Sequence, residues 1–212
     1  NITDKKELLD IFHRYIKVKK NKLKTIQYLK KKLFQNKKIL GVHFRGTGYK
    51  IARNPFPVTV NQMINKINEI LNKENYEKIF LMTEDSYNFK KIKEYYGNKV
   101  VSLNTTVRGK TNQEVYDIYP RDRHRYKLGR DVLMETYLLS YCEGFFDIET
   151  NPRTISFALN LNPSQKRHTI DNGFNNTWRY FNYFRYTWFF KSILPEKFGG
   201  FKNNKKPIKN ST

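Results

Sequence analysis

The sequence predicts an α/β fold in which helices cover a parallel, Rossmann-like β-sheet. Apolar stretches at residues 38–44, 78–82, 100–103 and 144–148 are separated by segments whose apolar residues recur at helical spacing. Strands alternating with helices in this way form a parallel sheet, because each crossover helix returns the chain to the same edge. With 212 residues and 38% hydrophobic content, the chain can bury one globular core.

The first element is a basic helical segment at residues 1–37, which we read as one or two amphipathic helices. The chain has a net charge of +22, and its first 38 residues contain 13 basic and three acidic side chains. Such an excess favours polyanionic partners, namely nucleic acid, an anionic membrane surface or phosphorylated substrates. Composition alone does not choose among them.

The next elements form the first half of the sheet. The strand at 38–44 runs directly into a polar, glycine-containing loop that begins at Arg45. Thr59 is the expected N-cap of a helix over 59–72. The strand at 78–82 leads into a helix that Gly97 ends, and the strand at 100–103 follows.

The second half begins with a long polar stretch at 104–129. His124 and its neighbouring arginines there could supply a base or a phosphate contact, but we favour the interpretation as a solvated basic loop. A helix over 130–142 and the strand at 144–148 follow. Another helix opens at Asn151-Pro152, since proline suits a first helical turn. An aromatic helix over 175–193 suits either packing against a further domain or a membrane interface, and the tail from 201 is basic.

Three loops should meet at one edge of this sheet, because ligands of open α/β sheets bind beyond the carboxyl ends of the strands. They are residues 45–49, 83–86 and 149–153. The third loop precedes a helix, whose free backbone N–H groups favour an anion such as a diphosphate. Arg45 offers a guanidinium suited to phosphate oxygens, and His43 lies two residues earlier on the same face of the strand.

Three blocks, in the same order, resemble the fucosyltransferase superfamily that includes the α1,6-, nodulation and protein O-fucosyltransferases. Residues 39–47 resemble its first signature, His-x-Arg followed by a polar residue and Thr. Residues 80–85 resemble the second, a strand with a Thr-acidic-acidic turn. Residues 131–142 resemble the third, an acidic residue before Leu-Leu-Ser. The similarity covers roughly residues 38–163 and implies the C-terminal, donor-binding half of a GT-B glycosyltransferase.

The resemblance also implies roles for single residues. Arg45 matches the arginine on the β-phosphate and is our candidate catalytic residue, while His43 matches the histidine that contacts the nucleotide. Glu135 aligns with an acidic residue that reads the guanine edge. The other positions expected to bind the donor nucleotide are Gly46, Thr47, Thr83, Thr150, Asn151 and Arg153.

The implied function is transfer of fucose from GDP-fucose to a surface-glycan acceptor, with inversion and without a metal or other cofactor. The acceptor is expected to be lipid-linked, in a bacterial cell-envelope pathway, and a missing N-terminal half is expected because the chain begins at Asn1. Asp147 and Glu149 resemble an Asp-x-Asp metal motif, a reading that we disfavour. The single cysteine fits a reducing compartment, so we expect a cytoplasmic protein. The charge of the N-terminal segment favours peripheral contact with the inner face of the cytoplasmic membrane.

The expected organisation is a basic segment (1–37), a nucleotide-sugar-binding domain (38–174), the aromatic helix (175–200) and a flexible tail (201–212). Two alternatives stay open at this point. The basic helices could belong to a nucleic-acid-binding module. Gly48 and Glu149 depart from the family pattern, which leaves room for a non-catalytic nucleotide-sugar-binding domain.

Overall fold

The computed structural model describes residues 5–45, 58–110, 115–148, 154–156, 159, 161–172, 189–191 and 193–195. Within these ranges the chain forms the expected α/β fold, a five-stranded parallel sheet between helices. The strands are β1 (Ile39–His43), β2 (Lys78–Met82), β3 (Val100–Val101), β4 (Gly144–Asp147) and β5 (Lys166–Thr169). The helices are α1 (Lys5–Tyr15), α2 (Lys20–Phe34), α3 (Val60–Lys73), α4 (Ser86–Tyr96) and α5 (His124–Tyr141).

The strand order is β3-β2-β1-β4-β5, so the chain builds outward from β1 in one direction and then in the other. After β3 it crosses back over the sheet to place β4 beside β1. In doubly wound sheets, such a reversal leaves a crevice beyond the carboxyl ends of the two central strands. Here that position lies between β1 and β4.

Each face of the sheet carries its own hydrophobic core. On one face, α3 and α4 pack on side chains such as Leu40, Val42 and Leu81. On the other, α5 packs on side chains such as Ile39 and Phe80. Helix α2 adds Ile26 and Phe34 to this second core, and α1 adds Phe12. The two helices of the basic segment are therefore packed on the α5 side of the sheet.

Local signals set several element boundaries. The Thr59 hydroxyl accepts from the backbone N–H of Gln62, and the Gln62 side chain accepts from Thr59 N–H, which is a capping box at the start of α3. Asp85 accepts from Asn88 N–H and caps α4. Gly97 ends α4 with φ +56°, a left-handed conformation that glycine adopts without steric cost.

Two parts of the second half differ from the sequence-based expectation. Helix α5 begins at His124, six residues before the expected start at residue 130. Strand β5 was not expected, because its four residues, Lys-Arg-His-Thr, are polar and have no apolar pattern. Among the described strands, it lies at the edge of the sheet and pairs with β4 alone.

The remaining predicted elements lie partly or wholly outside the described residues. Residues 154–156 and 159 are helical, as expected for the helix that opens at Asn151. Of the aromatic helix over 175–193, only 189–191 and 193 are described, and they are helical. The tail at 201–212 lies outside. Within the described ranges, no helix combines the length and the hydrophobicity that crossing a bilayer requires.

Candidate functional site

Arg45 and Glu84 meet at the carboxyl edge of the sheet, on the face covered by α5. The β1–β2 register pairs His43 with Met82, and continuing it by two residues places Arg45 opposite Glu84. Arg45 Nε lies 3.9 Å from Glu84 Oε1, with the side chains 38% and 22% exposed. The Arg45 side chain is therefore partly exposed, and its enclosed Nε lies beside a carboxylate.

His43 lies on the same face and is buried at the end of β1. Burial lowers its pKa to about 3, and the nearby positive charge of Arg45 acts in the same direction. The imidazole is therefore neutral at physiological pH. A neutral imidazole has one N–H donor and one acceptor nitrogen, so it can bind a polar ligand without adding charge.

Asp147 is the third polar group in this region, at the end of β4. The β1–β4 register pairs Gly41 with Phe145, and continuing it by two residues places His43 opposite Asp147. The Asp147 side chain is buried. His43, Arg45 and Asp147 thus flank the crevice position between β1 and β4, where the strand order reverses.

A loop after β3 adds Arg108, a residue that the sequence patterns did not indicate. Gly109 N–H donates to Glu84 O at 2.8 Å, and Ser86 N–H donates to Gly109 O at 2.9 Å. These bonds tie the loop to the end of β2. The Arg108 guanidinium lies 3.9 Å from the ring centroid of Phe89. Its Nε and Nη2 are enclosed and have no hydrogen-bond partner among the described residues.

Glu135 projects from α5 into this polar region. Its side chain is buried and accepts a hydrogen bond from the Thr106 hydroxyl at 2.7 Å. Burial raises its pKa to about 7, an effect that the Thr106 bond and the positive charge of Arg108 reduce. Burial also lowers the pKa of Arg108, while Glu135 opposes that shift. The proposed contact of Glu135 with a guanine edge stays a prediction.

A buried ion network around Asp131 holds the loop that carries Thr106. Asp131 Oδ2 accepts from Arg121 Nη2 at 2.8 Å, and Oδ1 accepts from Arg130 Nη2 at 2.8 Å. The Thr105 hydroxyl donates to the same carboxylate at 3.2 Å, and Arg121 also donates to Thr105 O. The network fixes Thr105 and therefore positions the neighbouring Thr106 against Glu135.

This network corrects the interpretation of residues 121–125 as a solvated basic loop. His124 is buried at the start of α5, where its Nε2 lies 2.7 Å from Val115 O. Arg121 is bound to Asp131, whereas Arg123 and Arg125 are exposed as expected. Charge spacing could not reveal this, because Asp131 lies ten residues further along the chain.

Thr83, expected to bind the donor nucleotide, is buried in the turn after β2. Its hydroxyl accepts from Asp85 N–H at 3.3 Å. The two acidic residues that follow Thr83 have different roles. Asp85 caps α4, whereas Glu84 faces Arg45.

Five expected donor-binding residues lie outside the described part of the chain: Gly46, Thr47, Thr150, Asn151 and Arg153. Glu149 of the Asp-x-Asp pattern lies outside it as well. Among the residues that are described, no group of three or more His, Cys, Asp or Glu side chains is arranged to hold a metal ion. The roles of the five residues stay predictions.

Neither the protein-family models nor the curated protein sequences contain a match to this chain. Solved structures similar to it include the NodZ alpha-1,6-fucosyltransferase co-crystallized with GDP, at 17% identity and a TM-score of 0.47, over 72% of this chain and 44% of that one. NodZ from Bradyrhizobium is 18% identical with a TM-score of 0.46, over 72% and 45%. The apo form of POFUT1 is 10% identical with a TM-score of 0.43, over 69% and 46%.

The chain thus spans less than half the length of each of these structures. At such identities, and with TM-scores below 0.5, the similarity says nothing about the chemistry of this chain.

Proposed function

We propose that this chain is the nucleotide-sugar-binding half of a GT-B glycosyltransferase whose donor is GDP-fucose. The observation that carries the proposal is the placement of Arg45 beside the crevice position between β1 and β4, next to a neutral histidine. A partly exposed guanidinium there suits a diphosphate, which binds arginine through paired hydrogen bonds. The three sequence blocks that resemble fucosyltransferases narrow the donor to a GDP-sugar.

In the proposed reaction, an acceptor hydroxyl attacks the anomeric carbon of the donor sugar from the face opposite the diphosphate. The new glycosidic bond forms as the bond from that carbon to the β-phosphate oxygen breaks, so the configuration inverts. The hydroxyl proton passes to a base, and the bonding electrons leave with GDP. Arg45 stabilises the charge that develops on the leaving diphosphate, which in this proposal makes a metal ion unnecessary.

The residues after β1 and β4 complete the proposed site. Gly46 and Thr47 follow Arg45 directly, and the helix that opens near Asn151 would direct its N-terminal N–H groups at the diphosphate. Glu135 would recognise the guanine base by accepting hydrogen bonds from its N–H groups, in place of the hydrogen bond that it accepts from the Thr106 hydroxyl.

We further propose that a separate N-terminal half supplies the acceptor site and the general base. The acceptor would be a surface glycan, in lipid-linked form. The exposed lysines of α1 and α2 would then attract the domain to the anionic inner face of the cytoplasmic membrane. Each of these points depends on the donor assignment.

Calorimetric titration of the chain with GDP, UDP and ADP tests the donor assignment. GDP should bind in preference to UDP and ADP, and Arg45→Ala should weaken it about tenfold or more, because charged hydrogen bonds contribute about 1.5–3 kcal/mol. The matched control is Arg125→Ala, which removes an exposed arginine on α5. No GDP binding, or equal effects of both substitutions, would refute the assignment. Binding to random-sequence RNA without GDP binding would favour the nucleic-acid alternative.

A further inference from the structure

A second charged region lies at the opposite edge of the sheet, where the strands begin. A cleft of about 480 Å³ opens there between the end of α2, the turn into β1 and the residue before β4. Its lining consists of Gln27, Lys30, Lys31, Phe34, Asn36, Lys37, Lys38 and Glu143. The cleft is separated from Arg45 by the length of β1, about 16 Å for five residues. It is therefore distinct from the proposed donor site.

The cleft is strongly positive, because four lysines line it against one glutamate. That glutamate has a structural partner: Glu143 Oε2 accepts from Ile39 N–H at 2.8 Å, at the start of β1. One hydrogen bond does not remove the charge of the carboxylate. The lining nevertheless has a net excess of three positive charges.

Two of the four lysines have acidic partners. Lys37 lies 3.5 Å from Glu77, and Lys38 lies 3.9 Å from Glu74. Within the part of the chain that the structure describes, no carboxylate lies within 4 Å of the Lys30 or Lys31 ammonium. These two adjacent lysines are therefore the cations available to an anion in the cleft.

Lys30 is also held in place. Its Nζ lies 4.2 Å from the ring centroid of Tyr141, at the end of α5, in a cation–π contact. The Tyr141 hydroxyl accepts from Gln27 Nε2 at 2.6 Å, which fixes the ring. An ammonium already positioned over a fixed ring loses less conformational freedom when a ligand binds.

Lysines near the ends of helices often bind the last carbonyls, but several of the carbonyls at these helix ends have other donors. The Lys31 carbonyl accepts from Gln35 N–H, and the Phe34 carbonyl accepts from Lys37 N–H. At the end of α5, the Leu139 and Cys142 carbonyls accept from the Gln165 side chain.

We propose that this cleft is a second anion-binding site that takes a ligand with more than one phosphate group, bound chiefly by Lys30 and Lys31. Its volume exceeds what a single phosphate needs, and the side chains of both lysines line it. The same phosphate chemistry could come from a free polyphosphate-type ligand or from phospholipid headgroups. The experiment has one arm for each source.

In the first arm, tripolyphosphate is titrated into the full chain by calorimetry at low salt. The double substitution Lys30→Gln with Lys31→Gln should weaken binding about tenfold. The matched control is Lys20→Gln with Lys24→Gln, which removes the same charge from exposed positions of α2 outside the cleft. It should change the affinity by less than about twofold. All of these proteins carry Arg45→Ala in common, which weakens phosphate binding at the proposed donor site, so the comparison does not depend on the donor assignment.

In the second arm, the same variants are co-sedimented with vesicles of phosphatidylcholine, with and without 20 mol% phosphatidic acid. A larger loss for the Lys30/Lys31 variant than for the control, in either arm, supports the site and identifies the source of the phosphate. Equal losses for the two variants in both arms would overturn it, because general charge would then explain the binding. Circular dichroism checks that both variants remain folded.

Discussion

Arg45 Nε lies 3.9 Å from Glu84 Oε1, so the cation at the end of β1 faces a carboxylate at the end of β2. Partly exposed pairs at this distance contribute little to stability. The pair instead fixes the position of the guanidinium, which Glu84 holds beside the sheet. The negative charge of Glu84 also repels any anion that Arg45 binds. The same Glu84 also anchors the Arg108 loop through its backbone carbonyl.

We therefore expect Glu84→Gln to increase the affinity for GDP by about two- to fivefold. The amide keeps the shape of the side chain and a carbonyl for Arg45, while the repulsion removed is about 0.5–1 kcal/mol at such distances in a solvated site. Calorimetry at low salt measures the effect, and Glu94→Gln on the exposed surface of α4 is the control. A clear loss of affinity would instead show that the carboxylate is required to position Arg45.

Asp131→Asn should destabilise the protein by about 3 kcal/mol, because it leaves two arginines without their buried partner. The Asp131 side chain is 1% exposed and binds Arg121 and Arg130. Asp122→Asn is the control, since Asp122 is 85% exposed and lies 3.7 Å from Arg123. It should change stability by less than about 0.5 kcal/mol. Urea unfolding compares the two, and equal effects would mean that the network does not stabilise the fold.

Much of the sheet could be predicted because its signals are local. The bounds of β2 are those expected from its apolar stretch, and the start of α3 follows from the Thr59–Gln62 capping box. Gly97 marks the end of α4, because glycine adopts the left-handed backbone conformation found there without steric cost. The rule that ligands bind beyond the carboxyl ends of parallel strands needs only the order of the elements. It was enough to identify His43 and Arg45 as polar residues at the candidate site.

The parts that could not be predicted depend on contacts between distant residues. Strand β5 is polar and becomes a strand only through pairing with β4. The early start of α5 is associated with the burial of His124 against Val115 and with the contact between Arg121 and Asp131. Arg108 reaches the site because Gly109 pairs with the chain at Glu84–Ser86. None of these partners is close in sequence.

Gly41→Ala should destabilise the fold by about 1–3 kcal/mol, the usual cost of overpacking. A Cβ at Gly41 would lie 3.0 Å from both Cys142 Sγ and Leu139 Cδ2, where α5 crosses β1. Gly129→Ala is the matched control, because a Cβ there meets nothing within 4 Å inside α5. It should stabilise the helix by about 0.5–1 kcal/mol. Thermal unfolding should therefore show shifts of opposite sign, and a neutral Gly41→Ala would contradict this close packing.

Glu135→Gln should change the pH dependence of stability. The pKa of Glu135 is about 7 in the fold, against an ordinary value of 4.5. Between these values the folded state holds a proton that the unfolded state has released, so the wild type loses stability as pH rises from 4.5 through 7. The neutral amide removes this loss. The variant should match the wild type at about pH 4.5 and be more stable by about 2–3 kcal/mol at pH 8.

The titration of His43 changes stability with pH in the direction opposite to that of Glu135. Its pKa of about 3 lies below the ordinary 6.5, so its contribution to stability falls as pH decreases from 6.5 towards 3. In the wild type the two effects oppose each other between about pH 4.5 and 6.5. In Glu135→Gln, stability should therefore rise more steeply with pH across that interval. Urea unfolding at four pH values tests this, and a difference that is constant with pH would mean that the Glu135 carboxyl titrates normally in the fold.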